Sequence, residues 1–311
     1  MIGLLSSEWL RFRSRRIVRV LFIVGVIGIV GAATIAGVSS KRPSEAQLDQ
    51  ADRRAERTIA RCVQRHGYKD AFGPRPAGQS DEDYCRAHIR AEDFVDGDQL
   101  ELNELPQYLQ VGAFIAILFG LVIGASMVGA SWQTGTITTI FSWEPRRLRW
   151  FGARLVVTFA GVLVVALVLL AIFAAAIAVA AALRGSTGTT SGWLGDTVRT
   201  ALRIGIVASA ASMIGAAVAM IGRNTAAALG GVFIYLAVLE SLVRGFRPAM
   251  GRFLLGDGIG AFVTGQDVQI PSETSGAGVT ITPVHGAITI AVYAAALIVV
   301  AALLLRTRDV H

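Results

Sequence analysis

The segment 131–154, SWQTGTITTIFSWEPRRLRWFGAR, places hydroxyl, acidic and basic side chains between two long apolar runs. A serine hydroxyl becomes a nucleophile beside a base, and neither Ser126 nor Ser131 has a histidine in those runs. The sequence contains no G-x-x-x-x-G-K-[ST], which would cradle ATP phosphates, and no H-E-x-x-H, which would bind zinc. These residue types therefore predict packing and partner binding, and no catalytic site in this chain.

Two cysteines, Cys62 and Cys85, lie 23 residues apart in a polar segment. His66 and His88 are near them, but the four residues do not have a recognised zinc-ligand spacing, so no metal site is predicted. The alternatives are a disulfide, which requires an oxidising compartment, and a pair of buried free thiols.

Glu240 and Arg244 have the i,i+4 spacing of neighbours on one helix face. They lie near the end of an apolar run, where ionisable residues are otherwise scarce. One interpretation is a local ion pair that stabilises the end of the helix. The other is a role of the pair in gating or in substrate contact.

The elements that position these residues are membrane helices. The chain has 311 residues, of which 53% are hydrophobic and 16% charged, and its mean hydropathy is +0.57. Stretches of roughly 20 apolar residues can cross a bilayer as helices. The sequence predicts an all-α polytopic membrane protein with six transmembrane helices at 17–38, 108–130, 154–183, 201–222, 225–243 and 285–305.

The N-terminus combines arginines with Leu4, Leu5 and Trp9 before the first apolar run. This run is long enough to span, so it is interpreted as a retained transmembrane helix and not as a cleaved signal peptide. Residues 1–16 are expected to form an interfacial helix on the cytoplasmic side. A merely basic flank is the alternative.

The arginines also predict the orientation of the helices, because cytoplasmic loops are enriched in basic residues. With the N-terminus inside, twelve arginines fall on the cytoplasmic side and six on the outer side. Both termini are therefore expected in the cytoplasm, with an outer loop at 184–200, an outer segment at 244–284 and a tail at 306–311 in a plasma membrane protein. The net charge of +7 is accounted for by this topology and does not predict nucleic-acid binding.

Residues 39–107 form a water-exposed insertion, with 14 of the 22 acidic residues of the chain. Ser44 and Gln47 have the spacing of a capping box, and apolar residues follow at helical intervals. Ser80 begins a second predicted helix that carries Cys85. The topology places this helical insertion outside the cell, where an oxidising environment favours a Cys62–Cys85 disulfide.

The segment 131–153 is the loop between the second and third spans. Gly135 precedes a short apolar stripe made by Ile137, Ile140 and Phe141. A helix there is too short to span a bilayer and too apolar on one face to stand in water. The segment is either an amphipathic stretch on the membrane surface or a knob that docks into a cytoplasmic partner, with Ile137 and Phe141 as its anchors.

The run GASWQTGTITTIFSWEPRRLR, residues 129–149, resembles the first cytoplasmic loop of ABC-2-type transporter permeases, and is most similar to their actinobacterial branch. RNTAAALG, residues 223–230, is a second match, and the outer insertion with its cysteines also resembles that branch. Many relatives carry a glutamate shortly before the Gly-Thr pair, where this chain reads Ser-Trp-Gln.

The resemblance implies a permease that pairs with a second permease copy and binds a separate ABC ATPase subunit, which holds ATP and Mg²⁺, so that this chain needs no cofactor. It implies export of an amphipathic substrate such as a drug, an antibiotic or a lipid-like molecule. The implied ATPase-docking residues are Gly135, Thr136, Ile137, Ile140, Phe141, Glu144, Pro145, Arg146 and Arg147. A membrane sensor with a ligand-binding outer domain, and an assembly factor, are the alternatives.

Overall fold

A computed structural model describes residues 2–40, 44–64, 80–90, 94, 100–143, 146–270 and 279–307. Its α-helices are α1 (Ile2–Ser14), α2 (Arg16–Ser39), α3 (Glu45–Gln64), α4 (Asp81–His88), α5 (Leu105–Gln133), α6 (Thr136–Trp143), α7 (Arg147–Arg184), α8 (Trp193–Gly222), α9 (Thr225–Ile234), α10 (Glu240–Phe246), α11 (Leu255–Thr264) and α12 (Pro283–Thr307). A π-helical turn, Tyr235–Leu239, joins α9 to α10, and 3₁₀ turns occupy Leu102–Glu104 and Pro248–Phe253.

Six helices in this part of the chain are long and apolar enough to cross a membrane. They are α2, α5 with its preceding 3₁₀ turn, α7, α8, the continuous α9–α10 helix and α12. The all-α polytopic fold with six spans is thus confirmed. The longest span helix, α7, begins at Arg147 and includes seven residues of the segment 131–153 that the sequence analysis treated as loop.

The chain divides into two compact units. The larger one comprises Met1–Gly31, Asn103–Ala176 and Thr189–His311, and the smaller one comprises Ala32–Leu102 and Ile177–Gly188.

Within the larger unit, α5 and α8 pack with their backbones in contact. A Cβ atom added to Gly120 would collide with the carbonyl oxygen of Ala208, and one added to Gly124 with that of Ser212. Small residues permit such close approach in membranes, where dispersion and packing replace the hydrophobic effect as the force between helices. The small residues around Ser126 and Ser131 therefore belong to a helix-packing surface.

The segment 244–284 has more structure than the sequence analysis anticipated. It contains α11 and an antiparallel hairpin in which strand β1 (Val268–Ile270) pairs with strand β2 (Val279–Ile281). Ile270 and Ile281 pack on Ala261 of α11. Three-residue strands are too short to give a period-2 signal that a sequence reading can detect.

The smaller unit contains the helices of the insertion. Ser44 and Gln47 form the capping box at the start of α3, with the Ser44 N–H donating to Gln47 Oε1 at 2.9 Å. Ser80 Oγ accepts from the Asp83 N–H at the start of α4. The Cys62–Cys85 disulfide is present, with Cα atoms 6.1 Å apart, and Ile59 and Ile89 pack around it. The predicted disulfide is thereby confirmed.

Candidate functional site

The short helix α6 is the centre of the candidate site. Gly135 precedes it with a φ of +67°, a conformation that favours glycine because it has no Cβ. The Thr138 N–H donates to the Gly135 carbonyl at 3.4 Å and closes the first turn, and the Thr138 hydroxyl donates to the same oxygen at 2.8 Å. The chain can therefore turn sharply out of α5 and begin a new helix.

The apolar stripe of α6 faces the interior of the same subunit. Ile137 is only 2% exposed and lies in a core cluster with Val128 of α5, Trp150 of α7 and Leu305 of α12. Ile140 and Phe141 are half-buried against the same cluster. The prediction that Ile137 is an anchor for a partner is therefore wrong, because a partner cannot reach this side chain.

Phe141 is held by the helix that follows. Its ring packs edge-on against Trp150, with ring centroids 5.3 Å apart, and the Arg147 guanidinium lies 5.4 Å from its centre. Arg147 also donates to the Leu305 carbonyl at 3.5 Å. Arg147, the first residue of α7, thus contacts both α6 and α12. Arg146 is exposed.

The face of α6 that is open to a partner is polar. Thr136, Thr138, Thr139 and Ser142 are exposed. Glu144 and Pro145, which the sequence analysis also assigned to docking, lie outside the described residues. The helix α6 therefore has an apolar inner face, which packs against three spans, and a hydroxyl-rich outer face.

Beneath α6 lies a buried ion pair that the sequence analysis missed. Arg154 of α7 donates to both carboxylate oxygens of Glu8 of α1, at 2.9 and 3.2 Å. A third donation reaches Ser131 Oγ at 2.9 Å, and a fourth reaches the Met127 carbonyl at 2.9 Å. Arg154 is fully buried and Glu8 is 3% exposed, so this cluster connects α1, α5 and α7 inside the protein.

Two features of the sequence could have pointed to this pair. Glu8 is the only acidic residue among the first 44, and Arg154 stands at the entrance to a run without other charges. A charge in such surroundings needs a partner, because desolvation of an unpaired ion is costly. The Trp150 ring, 4.5 Å from the Arg154 guanidinium, completes the enclosure.

Arg15 adds a second cation to this region. It donates to the carbonyls of Ser126 at 2.6 Å and Met127 at 3.3 Å. Burial, and then the charge of Arg154, lower the pKa of Arg15 from its ordinary value to about 10. Since that pKa is still well above neutrality, Arg15 is charged under physiological conditions.

The turn between α8 and α9 contacts the beginning of the loop. Gln133 donates to Asn224 Oδ1 at 3.0 Å, and the Arg223 guanidinium lies 4.7 Å from the centre of the Trp132 ring. Asn224 Oδ1 also accepts from the Ala226 N–H at 2.7 Å and caps α9. The two sequence matches, 129–149 and 223–230, are therefore in contact in the folded chain.

Glu240 and Arg244 are 3.7 Å apart, in the larger unit and away from α6. Glu240 is 3% exposed and accepts from the Gly256 N–H at 3.0 and 3.2 Å. Arg244 pairs more closely with Asp257, at 2.8 Å. These contacts attach the start of α11 to α10, and a role of the pair in gating stays a prediction.

The sequence of this chain matches the model of a known protein family. The family model described as ABC-2 membrane transporter related matches residues 55–247. That range includes both cysteines, α6, the α7 arginines and the α8–α9 turn. No curated protein matches the chain.

The match covers more than half of the 311 residues and coincides with spans that can cross a membrane. The ABC transporters to which this family is related contain a membrane subunit of this kind, the permease. The chain therefore belongs to the ABC-2 membrane transporter related family, as a multi-pass permease subunit.

Proposed function

We propose that this permease is driven by a separate ABC ATPase subunit that docks on the exposed face of α6. The observation that carries the proposal is the position of Ile137, which roots this short helix in a core shared by α5, α7 and α12. A force applied to the outer face of α6 reaches three spans through that core. An amphipathic helix that only rested on the membrane surface would not need to pack its apolar face in the core of the subunit.

The docking surface is the pair Thr138 and Ser142, which lie one turn apart on the exposed face. Neither side chain contributes to the core, so a bulky charge at either position changes the surface and leaves the inner face intact. Ile140, Phe141 and Arg147 hold the helix in place, and Arg146 lies beside it. ATP and Mg²⁺ are bound by the partner in this proposal.

The test is recovery of the ATPase with tagged permease. Thr138→Arg and Ser142→Arg should each lower recovery about tenfold or more, the equivalent of 1.4 kcal/mol or more of interface energy. Thr307→Arg is the matched control, because Thr307 is an exposed threonine near the end of α12, on the same predicted side. Undiminished recovery with both α6 variants would remove this helix as the docking site.

We further propose export of an amphipathic substrate, such as a drug, an antibiotic or a lipid-like molecule, between two permease copies. Spans built mainly of alanine, valine and leucine suit such a substrate better than an ion. Substrate-stimulated ATP hydrolysis by the reconstituted complex in nanodiscs is the measurement. Co-purification of a kinase or protease in place of an ATPase would favour a sensor.

The proposed orientation places α6 and both termini in the cytoplasm. Thr187 and Thr138 are exposed, so cysteines at these positions can report their sides in a Cys62→Ser/Cys85→Ser background. An impermeant maleimide should label Thr187→Cys in intact cells, and Thr138→Cys only after permeabilisation. The opposite pattern would place α6 outside and exclude docking of a cytoplasmic ATPase.

A further inference from the structure

A cavity of about 830 Å³ lies between α1, the start of α2, α5 and α6. Three arginines line it, namely Arg11, Arg15 and Arg16, and no carboxylate does so among the described residues. Its other polar lining consists mainly of hydroxyl and amide groups. Pockets of about 300–1,000 Å³ commonly hold drug-sized ligands, so this cavity is large enough for a phosphate-bearing head group with its glycerol.

The positive charge of the cavity is only partly neutralised within the protein. Glu8 lies close by, but its carboxylate is engaged by Arg154 and, at 3.5 Å, by Arg11. In the part of the chain that the structure describes, neither Arg15 nor Arg16 forms an ion pair. A cluster of guanidinium groups with one shared carboxylate favours an anionic ligand.

The position of the cavity at the start of the first span indicates the source of that anion. Arg16 is the first residue of the first span, and Ile17 beside it already lines the cavity. The cavity therefore lies where an apolar helix emerges at the head-group layer. Trp9 and Leu10 of α1 are exposed, as in helices that rest at the membrane interface.

We propose that this cavity is a binding site for the phosphodiester head group of an anionic phospholipid. Arg11 and Arg16 contact the phosphate from two helices, and the exposed hydroxyls of Thr136 and Thr139 hydrogen-bond to the glycerol part. The site includes residues of α6, so a bound lipid joins the interfacial helix α1 to the short helix. The proposal does not depend on which subunit docks on α6.

A specific lipid site uses particular arginines, whereas a diffuse basic surface uses all of its arginines alike. Arg11 and Arg13 lie on α1, and Arg16 and Arg19 lie on α2, yet the cavity is lined by the first member of each pair only. Arg13 and Arg19 are exposed, and Arg19 donates to the Ser14 carbonyl at 3.1 Å. Arg11 and Arg16 thus each have a control of the same charge on the same helix, Arg13 and Arg19 respectively.

The test uses the full chain in detergent and native mass spectrometry with dioleoyl phosphatidylglycerol or dioleoyl phosphatidylcholine. Phosphatidylglycerol should bind about tenfold more tightly, the equivalent of 1.4 kcal/mol. Arg11→Gln and Arg16→Gln should each lower its affinity about fivefold, whereas Arg13→Gln and Arg19→Gln should change it less than about twofold. Equal losses in all four variants would overturn the site in favour of diffuse attraction.

A second arm separates the lipid from a soluble phosphate compound. Inorganic phosphate and glycerophosphoglycerol, at up to millimolar concentration, should raise the melting temperature of the wild-type chain less than phosphatidylglycerol does. Equal shifts that disappear in Arg16→Gln would assign the cavity to a soluble phosphate ligand and overturn the lipid. A melting scan of each variant without ligand confirms that the substitutions leave the fold intact.

Discussion

The carboxylate of Glu8 and the guanidinium of Arg154 form a buried bidentate ion pair, with N–O distances of 2.9 and 3.2 Å, although 146 residues of sequence separate them. The pair joins α1, which is too short and too polar to span, to the long helix α7. The Nη1 atom of Arg154 donates to the Met127 carbonyl and to Ser131 Oγ. The N-terminal helix is therefore a structural part of the permease and not a loose appendage.

Breaking this pair should destabilise the subunit strongly. Glu8→Gln leaves Arg154 buried without a counter-charge, and removal of one partner of a buried pair typically costs about 3–5 kcal/mol. The expected result is a clear fall in the melting temperature of the detergent-solubilised chain. Asp196→Asn is the control, because Asp196 pairs with Arg199 in an exposed position where the pair contributes about 0–1 kcal/mol. Similar shifts in the two variants would contradict a structural role for Glu8.

Ile137 should behave as a core residue of the permease. Ile137→Ala removes side-chain volume from a 2% exposed position, and such changes cost about 2–5 kcal/mol. Ile137→Asp should prevent stable insertion, since it buries a carboxylate in the same place. Thr138→Ala on the exposed face should leave the free energy of unfolding within about 0.5 kcal/mol of the wild-type value. A folded Ile137→Asp subunit that has only lost its ATPase would return this residue to the interface.

The contact between α5 and α8 can be tested at one glycine. Gly124→Ala places a Cβ against the Ser212 carbonyl and forces the two helices apart. Overpacking of this kind typically costs about 1–3 kcal/mol. Gly112→Ala on the same helix has no atom within 4 Å of the new Cβ and should be neutral or stabilising. Equal effects on the melting temperature would show that helix propensity, and not packing, determines the outcome.

The disulfide should stabilise the insertion locally. Closing a loop with a sequence separation of 23 contributes about 3 kcal/mol in the chain-entropy model. Cys62→Ser/Cys85→Ser should therefore make α3 and α4 more sensitive to limited proteolysis, with the six spans still inserted. Non-reducing peptide mapping of the wild type should recover Cys62 linked to Cys85. Alkylation of both thiols in native membranes would contradict the bridge.

The sequence by itself determined the spans, because the length and composition of an apolar run decide whether a helix can cross a bilayer. It also determined the capping box at Ser44, which is local, and it limited any disulfide within the chain to Cys62–Cys85, because the sequence has two cysteines. The family resemblance likewise rested on contiguous residues, 129–149 and 223–230.

Only the tertiary structure decided which surface each amphipathic element faces. The stripe of Ile137 and Phe141 has the same period whether it packs on a partner or on Trp150 of its own chain. The Glu8–Arg154 pair and the arginine cavity bring together residues from distant helices, and no local pattern specifies such contacts. Periodicity records that a face must be buried, whereas the packing of the spans determines what buries it.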